Sequence, residues 1–430
     1  MVSLAPIADV NRWPQSQTGA CQSDLAGRVA SAYRGLPRRL RDAHVGAYSF
    51  QLYLVALMSK LFSPVTLRGV TLRNRTIVSP MCQYSAQDGF ANEWHYVHLG
   101  RFGMGGFGLV LIEATGVLPE GRISYADLGL WKDEHIAPLA RIVNFLNGQG
   151  AAVGIQLGHA GRKASTPVWR DKADQPATEE QRRAVGFEHW VPVGPSAQSN
   201  DPTNADYQVP KALDRDGIRR VVDGFAAAAT RANQAGFDTV EIHAAHGYLL
   251  NQFLSPLANH RTDEYGGSRL NRMRLVLEVT EAVRSVWPAE KPLIVRLSVS
   301  DNNADGWQVD DSVALATELK ARGVDAIDCS SGGFAQGRIR SAPAYQVPFA
   351  KAVKQGAGIP TIAVGLLGDA LEGEAFIENG DTDFIALARG ALNDPNWPLH
   401  ANRELGGDYS LWPVQTRQVA ERDRVLSSPQ

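Results

Sequence analysis

Residues 216–244, DGIRRVVDGFAAAATRANQAGFDTVEIHA, contain one complete helix–turn–strand unit, and the recurrence of this unit decides the fold. Gly236 can adopt the left-handed conformation that ends a helix. The run that follows it, TVEIHA, is mostly apolar and predicts a buried strand. Before the glycine, apolar residues recur at the three- and four-residue spacing of one helix face, namely Ile218, Val221, Val222, Phe225, Ala229 and Ala232.

The same unit recurs along most of the chain. Eight short apolar runs alternate with helical periodicity, and further helices are expected at residues 134–148, 271–286, 311–322 and 371–378. Because the strands are apolar on both faces, the sequence predicts a closed parallel (β/α)8 barrel, a TIM barrel. An open doubly wound sheet is the alternative, and it would leave two strands as edges. The eight runs are RTIVSPM, GLVLIEA, AAVGIQL, TVEIHA, PLIVRLS, DAIDCSS, PTIAVGL and DFIALAR.

Three segments depart from the repeat. Residues 162–212 form a long loop after strand three, rich in Pro, Gly and charge, and such loops are usually lids or binding loops. Before strand one, LFSPVTLRGVTLRNR predicts an N-terminal β-hairpin around Gly69 that would close the lower end of the barrel.

The first 57 residues show no sustained periodicity. We expect a poorly structured leader at 1–57, with Met58 as the hypothetical native start; a targeting peptide is the alternative. This division assigns residues 58–413 to the barrel and 414–430 to a C-terminal tail.

Composition argues against several classes of partner. Lys and Arg total 43 against 45 Asp and Glu, and these charges are scattered, so no nucleic-acid surface is expected. Cys21, Cys82 and Cys329 lack the spacing of a zinc or iron–sulfur site, which indicates a reducing, cytoplasmic compartment and no metal. The longest apolar run, FQLYLVALM, is about half of the roughly 20 residues that a membrane helix needs. A small-molecule partner is therefore expected.

Polar residues follow several predicted strands, at the end where the active sites of (β/α)8 barrels lie. Strands six to eight end in SSGG, VGLLG and ARG, and small residues with exposed amides, together with Arg389, suit a phosphate. Tight turns are the alternative explanation for these glycines. On the opposite side, Gln156 and Arg296 suit a flat heterocycle. A buried Arg296 needs an anionic partner, either the ring or a carboxylate such as Glu241, and the sequence leaves both open.

The motif HAAHGYLLNQFLSP, residues 243–256, places two histidines three residues apart and a tyrosine shortly after them. A zinc site would need a third and a fourth ligand, and only Cys82 stands at a strand end. Core histidines are a second explanation, but the open mouth of a barrel is a poor place for packing. We favour a third interpretation, in which His243 and His246 donate hydrogen bonds to one substrate oxygen.

Longer motifs resemble the Old Yellow Enzyme family, in particular its thermophilic-like ene-reductase branch. They are SPMCQYSAQDG, IQLGHAGRKA, HAAHGYLLNQFLSPLANHRTDEYGGS and NRMRLVLEV, and the likeness covers residues 58–413. The resemblance implies FMN at the barrel mouth, with Cys82 tuning the flavin, Gln156 at its pyrimidine edge and Arg296 stabilising the anionic reduced ring. The other implied FMN contacts are Ser79, Pro80, Met81 and Ala114 around the ring, and Gly333, Gly365, Ala388 and Arg389 around the phosphate.

The resemblance also implies a reaction. His243 and His246 would bind the carbonyl or nitro oxygen of an activated alkene, and Tyr248 would give a proton to its α-carbon. Tyr84 would add a hydrogen bond to the substrate, and Lys163 would help to position cofactor or substrate. NADPH or NADH would be the reductant in a ping-pong cycle.

Two features match the family less closely. Ala388 stands where the family often has a glycine before the arginine, and LWPVQTRQVAERDR only loosely resembles a C-terminal motif that reaches a neighbouring subunit. The resemblance implies a homo-oligomer, a dimer or a tetramer, and Arg417 is the residue that would reach across.

Three rival functions are weighed against this interpretation. Larger relatives that reduce dienoyl-CoA or demethylate amines carry an iron–sulfur cysteine cluster. The three cysteines of this sequence do not form such a cluster. A flavin-binding sensor or interaction protein without efficient turnover would not need the two histidines, Tyr248 and Tyr84. A metal-dependent hydrolase rests on the H-x-x-H spacing alone.

Overall fold

The computed structural model describes residues 59–168, 189–204, 206–339 and 341–426. Eight parallel strands close into a barrel in the order β3–β4–β5–β8–β9–β10–β11–β12, with β12 paired to β3. The closed barrel confirms the predicted fold, since every one of these strands has two neighbours. The strands are β1 (Val65–Leu67), β2 (Val70–Leu72), β3 (Thr76–Val78), β4 (Leu109–Gly116), β5 (Ala152–Gly158), β6 (Val193–Gly194), β7 (Lys211–Ala212), β8 (Thr239–Ala244), β9 (Leu293–Ser298), β10 (Ala326–Ser330), β11 (Thr361–Val364) and β12 (Phe384–Leu387).

Helices follow the strands, and those predicted from periodicity are confirmed with their ends shifted by one or two residues. The helix predicted before Gly236 is present as α3, Arg215–Gln234. Its first turn is capped because the Asp214 side chain accepts a hydrogen bond from the Gly217 amide. The helices are α1 (Glu93–Met104), α2 (Ile136–Gly148), α3 (Arg215–Gln234), α4 (Leu249–Leu254), α5 (Arg269–Val286), α6 (Val309–Ala321), α7 (Val347–Ala357), α8 (Ala370–Glu378), α9 (Arg389–Asn393), α10 (Trp397–Glu404) and α11 (Val414–Leu426).

The core has two layers, because each barrel strand buries both of its faces. The outer layer lies between strands and helices, and the inner layer fills the lower part of the barrel with side chains such as Ile77, Leu109, Ile294 and Phe384. Above this inner layer, toward the carboxyl ends of the strands, the inward-facing residues become polar. The fold therefore leaves one end of the barrel for packing and the other for chemistry.

The predicted hairpin is present as β1 and β2, and its apolar residues pack against the inner layer. The Gly69 amide donates to the Glu290 carbonyl, and the Arg68 guanidinium lies 2.6 Å from an Asp325 carboxylate oxygen. Glu290 and Asp325 both precede barrel strands, so the hairpin lies at the lower end, as predicted.

The remaining predictions fall partly outside the described residues. Those on the leader, 1–57, and on the Met58 start lie wholly outside them. Of the long loop after β5, the described parts contain a 3-10 turn, Gly161–Lys163, and the short parallel pair β6–β7. The segment predicted as a C-terminal tail contains helix α11. Within the described part of the chain, no helix combines the length and the hydropathy needed to cross a bilayer.

Candidate active site at the barrel mouth

Every site residue predicted from the sequence lies in the upper half or at the carboxyl end of a barrel strand, or in the loop that follows it. They are drawn from all eight barrel strands and from the turn after β5, which explains why they are scattered along the sequence. By strand they are Ser79, Pro80, Met81, Cys82 and Tyr84 after β3, Ala114 in β4, Gln156 in β5, Lys163 in the 3-10 turn, His243, His246 and Tyr248 in and after β8, Arg296 in β9, Gly333 after β10, Gly365 after β11, and Ala388 and Arg389 after β12.

The two histidines and the tyrosine form one aromatic cluster. The His243 ring centroid lies 5.1 Å from that of His246 and 4.9 Å from that of Tyr248, in both cases edge to face. The strand ends at Ala244, and His246 then takes a φ of 59°, a left-handed conformation that few non-glycine residues adopt and that often marks functional sites. This turn returns the chain over the barrel mouth, so residues five apart in sequence share one cluster.

Electrostatics fixes the protonation states in this cluster. Burial, together with the nearby charge of Arg296 and of Lys163, holds the pKa of His243 and of His246 well below the ordinary value. Burial raises the pKa of Tyr248 well above its usual range. At neutral pH both imidazoles are therefore uncharged, each with one N–H, and the phenol keeps its proton.

Hydrogen bonds assign the tautomer of His243 and link that of His246 to the Ser330 hydroxyl. His243 Nδ1 accepts the Ala245 amide at 3.3 Å, so the proton of His243 lies on Nε2. His246 Nε2 lies 2.7 Å from the Ser330 hydroxyl, which is also 3.3 Å from a Gln346 oxygen that accepts from Ser331. The single Ser330 hydroxyl proton goes either to Gln346 or to His246 Nε2, and when it goes to His246 the proton of His246 lies on Nδ1. These contacts were not predicted, because nothing in SSGG shows that Ser330 meets a histidine from β8 or that Gln346 meets Ser330.

The segment that carries Cys82 and Tyr84 is held by a buried carboxylate that the sequence analysis missed. One Glu113 oxygen accepts the Gln83 amide, and the other lies 3.1 Å from His95 Nε2. Tyr84 takes a φ of 50° and its hydroxyl contacts the Cys82 thiol. Burial and the charges of Asp127 and Glu113 raise the pKa of Cys82, so the thiol stays protonated. A lone acid in the apolar run GLVLIEA was the available signal.

Lys163 bonds to backbone in this structure. Its Nζ lies 2.7 Å from the His246 carbonyl and 2.5 Å from the Gly333 carbonyl, so it joins the loops after β8 and β10. Burial lowers the pKa of Lys163 to about 8. A Cβ on Gly333 would lie 2.1 Å from the His246 carbonyl carbon, so the approach of these two loops requires glycine there.

Arg296 has a carboxylate partner, but it is Asp328 and not the Glu241 considered from the sequence. Arg296 Nε lies 3.2 Å from an Asp328 oxygen, since the two residues are in register on adjacent strands. Glu241 instead accepts a hydrogen bond from Gln156 Nε2 at 2.7 Å. The ion pair is not a complete one, because Arg296 Nε lacks hydrogen-bond geometry toward any acceptor among the described residues.

The other side of the mouth is built from backbone. Gly365 takes a φ of 130°, and the amides of Leu366 and Leu367 have no acceptor within the described part of the chain. Arg389 is exposed at the start of α9, directly after Ala388. Amides and a guanidinium that lack partners among the described residues, at the ends of two adjacent strands, suit an anionic group.

A cleft with about 240 Å³ of empty volume opens beside the aromatic cluster. Its lining includes Ala114, Asp127, His243 and Tyr248. Among the described residues, no three His, Cys, Asp or Glu side chains are grouped as metal ligands would be. The arrangement therefore offers neutral hydrogen-bond donors, a protonated phenol and a buried guanidinium to whatever the cleft binds.

The fold and the site define a (β/α)8-barrel protein whose mouth has backbone amides and a guanidinium suited to an anionic group on one side and a hydrogen-bonding centre on the other. The chain belongs to the NADH:flavin oxidoreductase / NADH oxidase family, whose family model matches residues 60–407. The resemblance to Old Yellow Enzyme is thereby confirmed. The protein is an NAD(P)H-linked flavin oxidoreductase with FMN as its cofactor.

Individual relatives agree with this placement. The chain is 45% identical over 357 residues to an NADPH dehydrogenase of Geobacillus thermodenitrificans (strain NG80-2), covering 83% of this chain and 97% of the relative. Its structure is similar to morphinone reductase, with a TM-score of 0.67 and 28% identity over 81% of this chain and 90% of the other. It is also similar in fold to 2-naphthoyl-CoA reductase, with a TM-score of 0.73 and 22% identity, but it covers 82% of this chain and only 53% of that one.

Proposed function

We propose that the protein is an ene-reductase, which uses FMN and NAD(P)H to reduce the C=C bond of alkenes activated by a carbonyl or nitro group. One observation carries the proposal: at the mouth of a flavin-family barrel, the ring of neutral His243 lies about 5 Å from the ring of a second neutral histidine and about 5 Å from that of a protonated tyrosine. A flavin site needs none of these three groups for binding. Hydrogen-bond donation and proton transfer to a substrate need all of them.

The residues present fit FMN on the evidence of unsatisfied polar atoms. Ser79 Oγ and Arg296 Nε are buried without a hydrogen-bond partner among the described residues, and both belong to the mouth. We assign Ser79, Pro80, Met81, Cys82 and Ala114 to the isoalloxazine ring, and Gln156 and Arg296 to its pyrimidine edge. Gly365 and the following amides, with Ala388 and Arg389, are assigned to the phosphate, and Gly333 borders it. FMN, when bound, supplies hydride chemistry between NAD(P)H and the alkene.

The histidines would hold the substrate oxygen. His243 Nε2–H would be one donor, and His246 Nδ1–H would be the other when Ser330 donates to His246 Nε2; two donors on one oxygen stabilise the negative charge that develops there. Because both imidazoles are neutral, neither is the proton donor. Tyr248 beside them would supply the proton to the α-carbon, and Tyr84 would hydrogen-bond the substrate from the opposite loop.

Lys163 enters this proposal as a positioning residue. Its bonds to the His246 and Gly333 carbonyls hold the histidine loop at a fixed place, and through that loop Lys163 positions the substrate. We keep a homo-oligomer, a dimer or a tetramer, as part of the proposal. Within one chain the Arg417 guanidinium donates to the Ser410 and Trp412 carbonyls, so reaching a neighbouring site would require it to exchange these bonds.

The visible absorption spectrum of the FMN-loaded protein tests the proposal. We expect flavin bands that bleach under anaerobic NADPH and return when cyclohexenone is added. A protein that bleaches with NADPH but does not recover with enones or nitroalkenes would contradict the ene-reductase activity, and it would instead favour a flavin-binding protein without efficient turnover.

A further inference from the structure

Beneath the cluster of histidines, two acidic side chains meet inside the barrel. Glu241 from β8 and Asp328 from β10 are both completely buried, and their carboxyl groups are in hydrogen-bonding contact with each other. Arg296 from the intervening strand β9 lies 3.2 Å from Asp328. None of these contacts involves solvent-exposed atoms, so their charges must balance within the barrel.

Three of the four carboxyl oxygens of this pair have no hydrogen-bond donor among the described residues. Gln156 donates to one Glu241 oxygen, but no N–H or O–H group of the described residues donates to the other Glu241 oxygen or to either oxygen of Asp328. Two carboxylates in contact repel each other unless a proton lies between them. A single proton would supply the missing donor and relieve the repulsion.

The charge balance of the buried group also requires one proton on the pair. Arg296 is the guanidinium that acts on both acids, and it is level with His243, which is neutral. Two ionised carboxylates would leave the buried group with one negative charge in excess, and two protonated ones would leave Arg296 uncompensated. One proton on the pair makes the group neutral. In agreement, burial and mutual repulsion raise the pKa of Glu241, and burial raises that of Asp328.

We propose that Glu241 and Asp328 form a proton-binding site that holds one shared proton. The pair then carries a single negative charge, which balances the positive charge that Arg296 presents to the flavin. The functional part of this inference rests on the proposed placement of Arg296 beside the flavin. A guanidinium that is half-satisfied by Asp328 can still stabilise negative charge on a reduced ring. The pair would thus act as a positioning group that sets the reduction potential through Arg296.

Amide substitutions distinguish the three charge states through the midpoint potential of the FMN-loaded protein. With one shared proton, Glu241→Gln and Asp328→Asn each leave the potential nearly unchanged, because the remaining acid stays ionised and takes over the charge. The double variant removes the last negative charge and raises the potential. We expect the equilibrium constant for reduction to rise at least tenfold, which is about 30 mV for a two-electron couple.

Two other outcomes would overturn the proposal. If both acids are ionised, each single variant raises the potential and the two shifts add. If both are protonated, even the double variant leaves it unchanged. Asp325→Asn is the matched control, since it removes a carboxylate from the lower end of the same strand. Its potential should equal that of the wild type.

A second measurement needs no flavin and separates this proposal from the proposed function. The infrared difference spectrum between wild type and each single variant should show the loss of one carboxylic-acid carbonyl band at neutral pH, with or without FMN. Absence of that band from the difference spectra would refute the shared proton. A lost band in a protein that never binds FMN would instead refute the flavin placement and leave the proton site standing.

Discussion

The two ends of the barrel use carboxylates in opposite ways. At the lower end Asp238, Asp325 and Asp383 each stand directly before a strand and accept a hydrogen bond, at 2.8 to 3.0 Å, from a backbone amide near the start of the adjacent strand. Asp325 and Asp383 each also bond to a basic side chain. These acids therefore join neighbouring strands and are well supplied with donors.

At the mouth the acids and their neighbours are left incomplete. Glu241 and Asp328 retain oxygens without a donor, and Arg296 and Ser79 retain atoms without an acceptor or donor, among the described residues. Burying polar atoms in this state is costly unless a ligand or a proton completes them. The difference indicates that polar groups at the lower end stabilise the fold, whereas those at the mouth are available for binding. Each prediction below tests one of these two ends.

The largest expected effect is at the mouth. Replacing His243 and His246 together with alanine should slow reoxidation of the reduced flavin by cyclohexenone at least about 10³-fold, because each donor to a developing oxyanion contributes about 10²–10³. Flavin reduction by NADPH should fall far less, and FMN should stay bound. Stopped-flow absorbance measures both half-reactions.

The exposed His400, which bonds to Asp394 on the surface, supplies the matched control. His400→Ala should change neither half-reaction. Equal losses in both half-reactions of the double variant, or loss of FMN, would show that the pair does not act as the substrate's donors.

Tyr248→Phe should have the next largest effect. Without the phenolic proton, turnover of the enone should fall about 10²-fold or more, the usual contribution of a general acid, while reduction by NADPH continues. Tyr265→Phe is a suitable control, because that hydroxyl bonds to Glu278. Steady-state rates together with NADPH single-turnover rates check this prediction; an unchanged enone rate would assign the proton to another donor.

At the lower end, Asp325→Ala should reduce stability and spare catalysis. The substitution leaves the buried Leu293 amide without its acceptor and removes the partner of Arg68, so we expect a loss of about 2–3 kcal/mol in the free energy of unfolding. Urea denaturation measures the loss, and kcat for enone reduction should stay within about twofold. A large fall in kcat with unchanged stability would break the distinction between the two ends.

The smallest effect concerns pH. Burial raises the pKa of Asp127, in the cleft, to about 7. Between about pH 4 and 7 the folded protein therefore binds this proton more tightly than the unfolded chain does, so stability falls as pH rises through that window, by at most about 1.4 kcal/mol per unit. We expect Asp127→Asn to flatten the decline by about 1–2 kcal/mol between pH 5 and 7 in urea denaturation. An equal slope in both proteins would show that Asp127 titrates normally.

The location of much of the candidate site could be predicted because it lies at strand ends, and strand ends can be located from local periodicity. The histidines, Tyr248, Cys82 and Arg296 were found in this way. Glu113, Asp328, Ser330 and Gln346 were missed. Each of them acts on a residue from a different strand or loop, and a single sequence contains no signal for such a meeting.

The sequence by itself determined the eight-fold alternation, the placement of polar residues at one end and the likeness to a flavin-dependent family. These follow from the spacing of apolar residues and from long local motifs, both of which are properties of neighbouring positions. Only the tertiary structure decided that Arg296 pairs with Asp328 instead of Glu241, that Lys163 binds two carbonyls, and that Ser330 meets His246. Those contacts depend on the register between strands in the closed barrel, which is set by packing of the whole ring and not by any one segment.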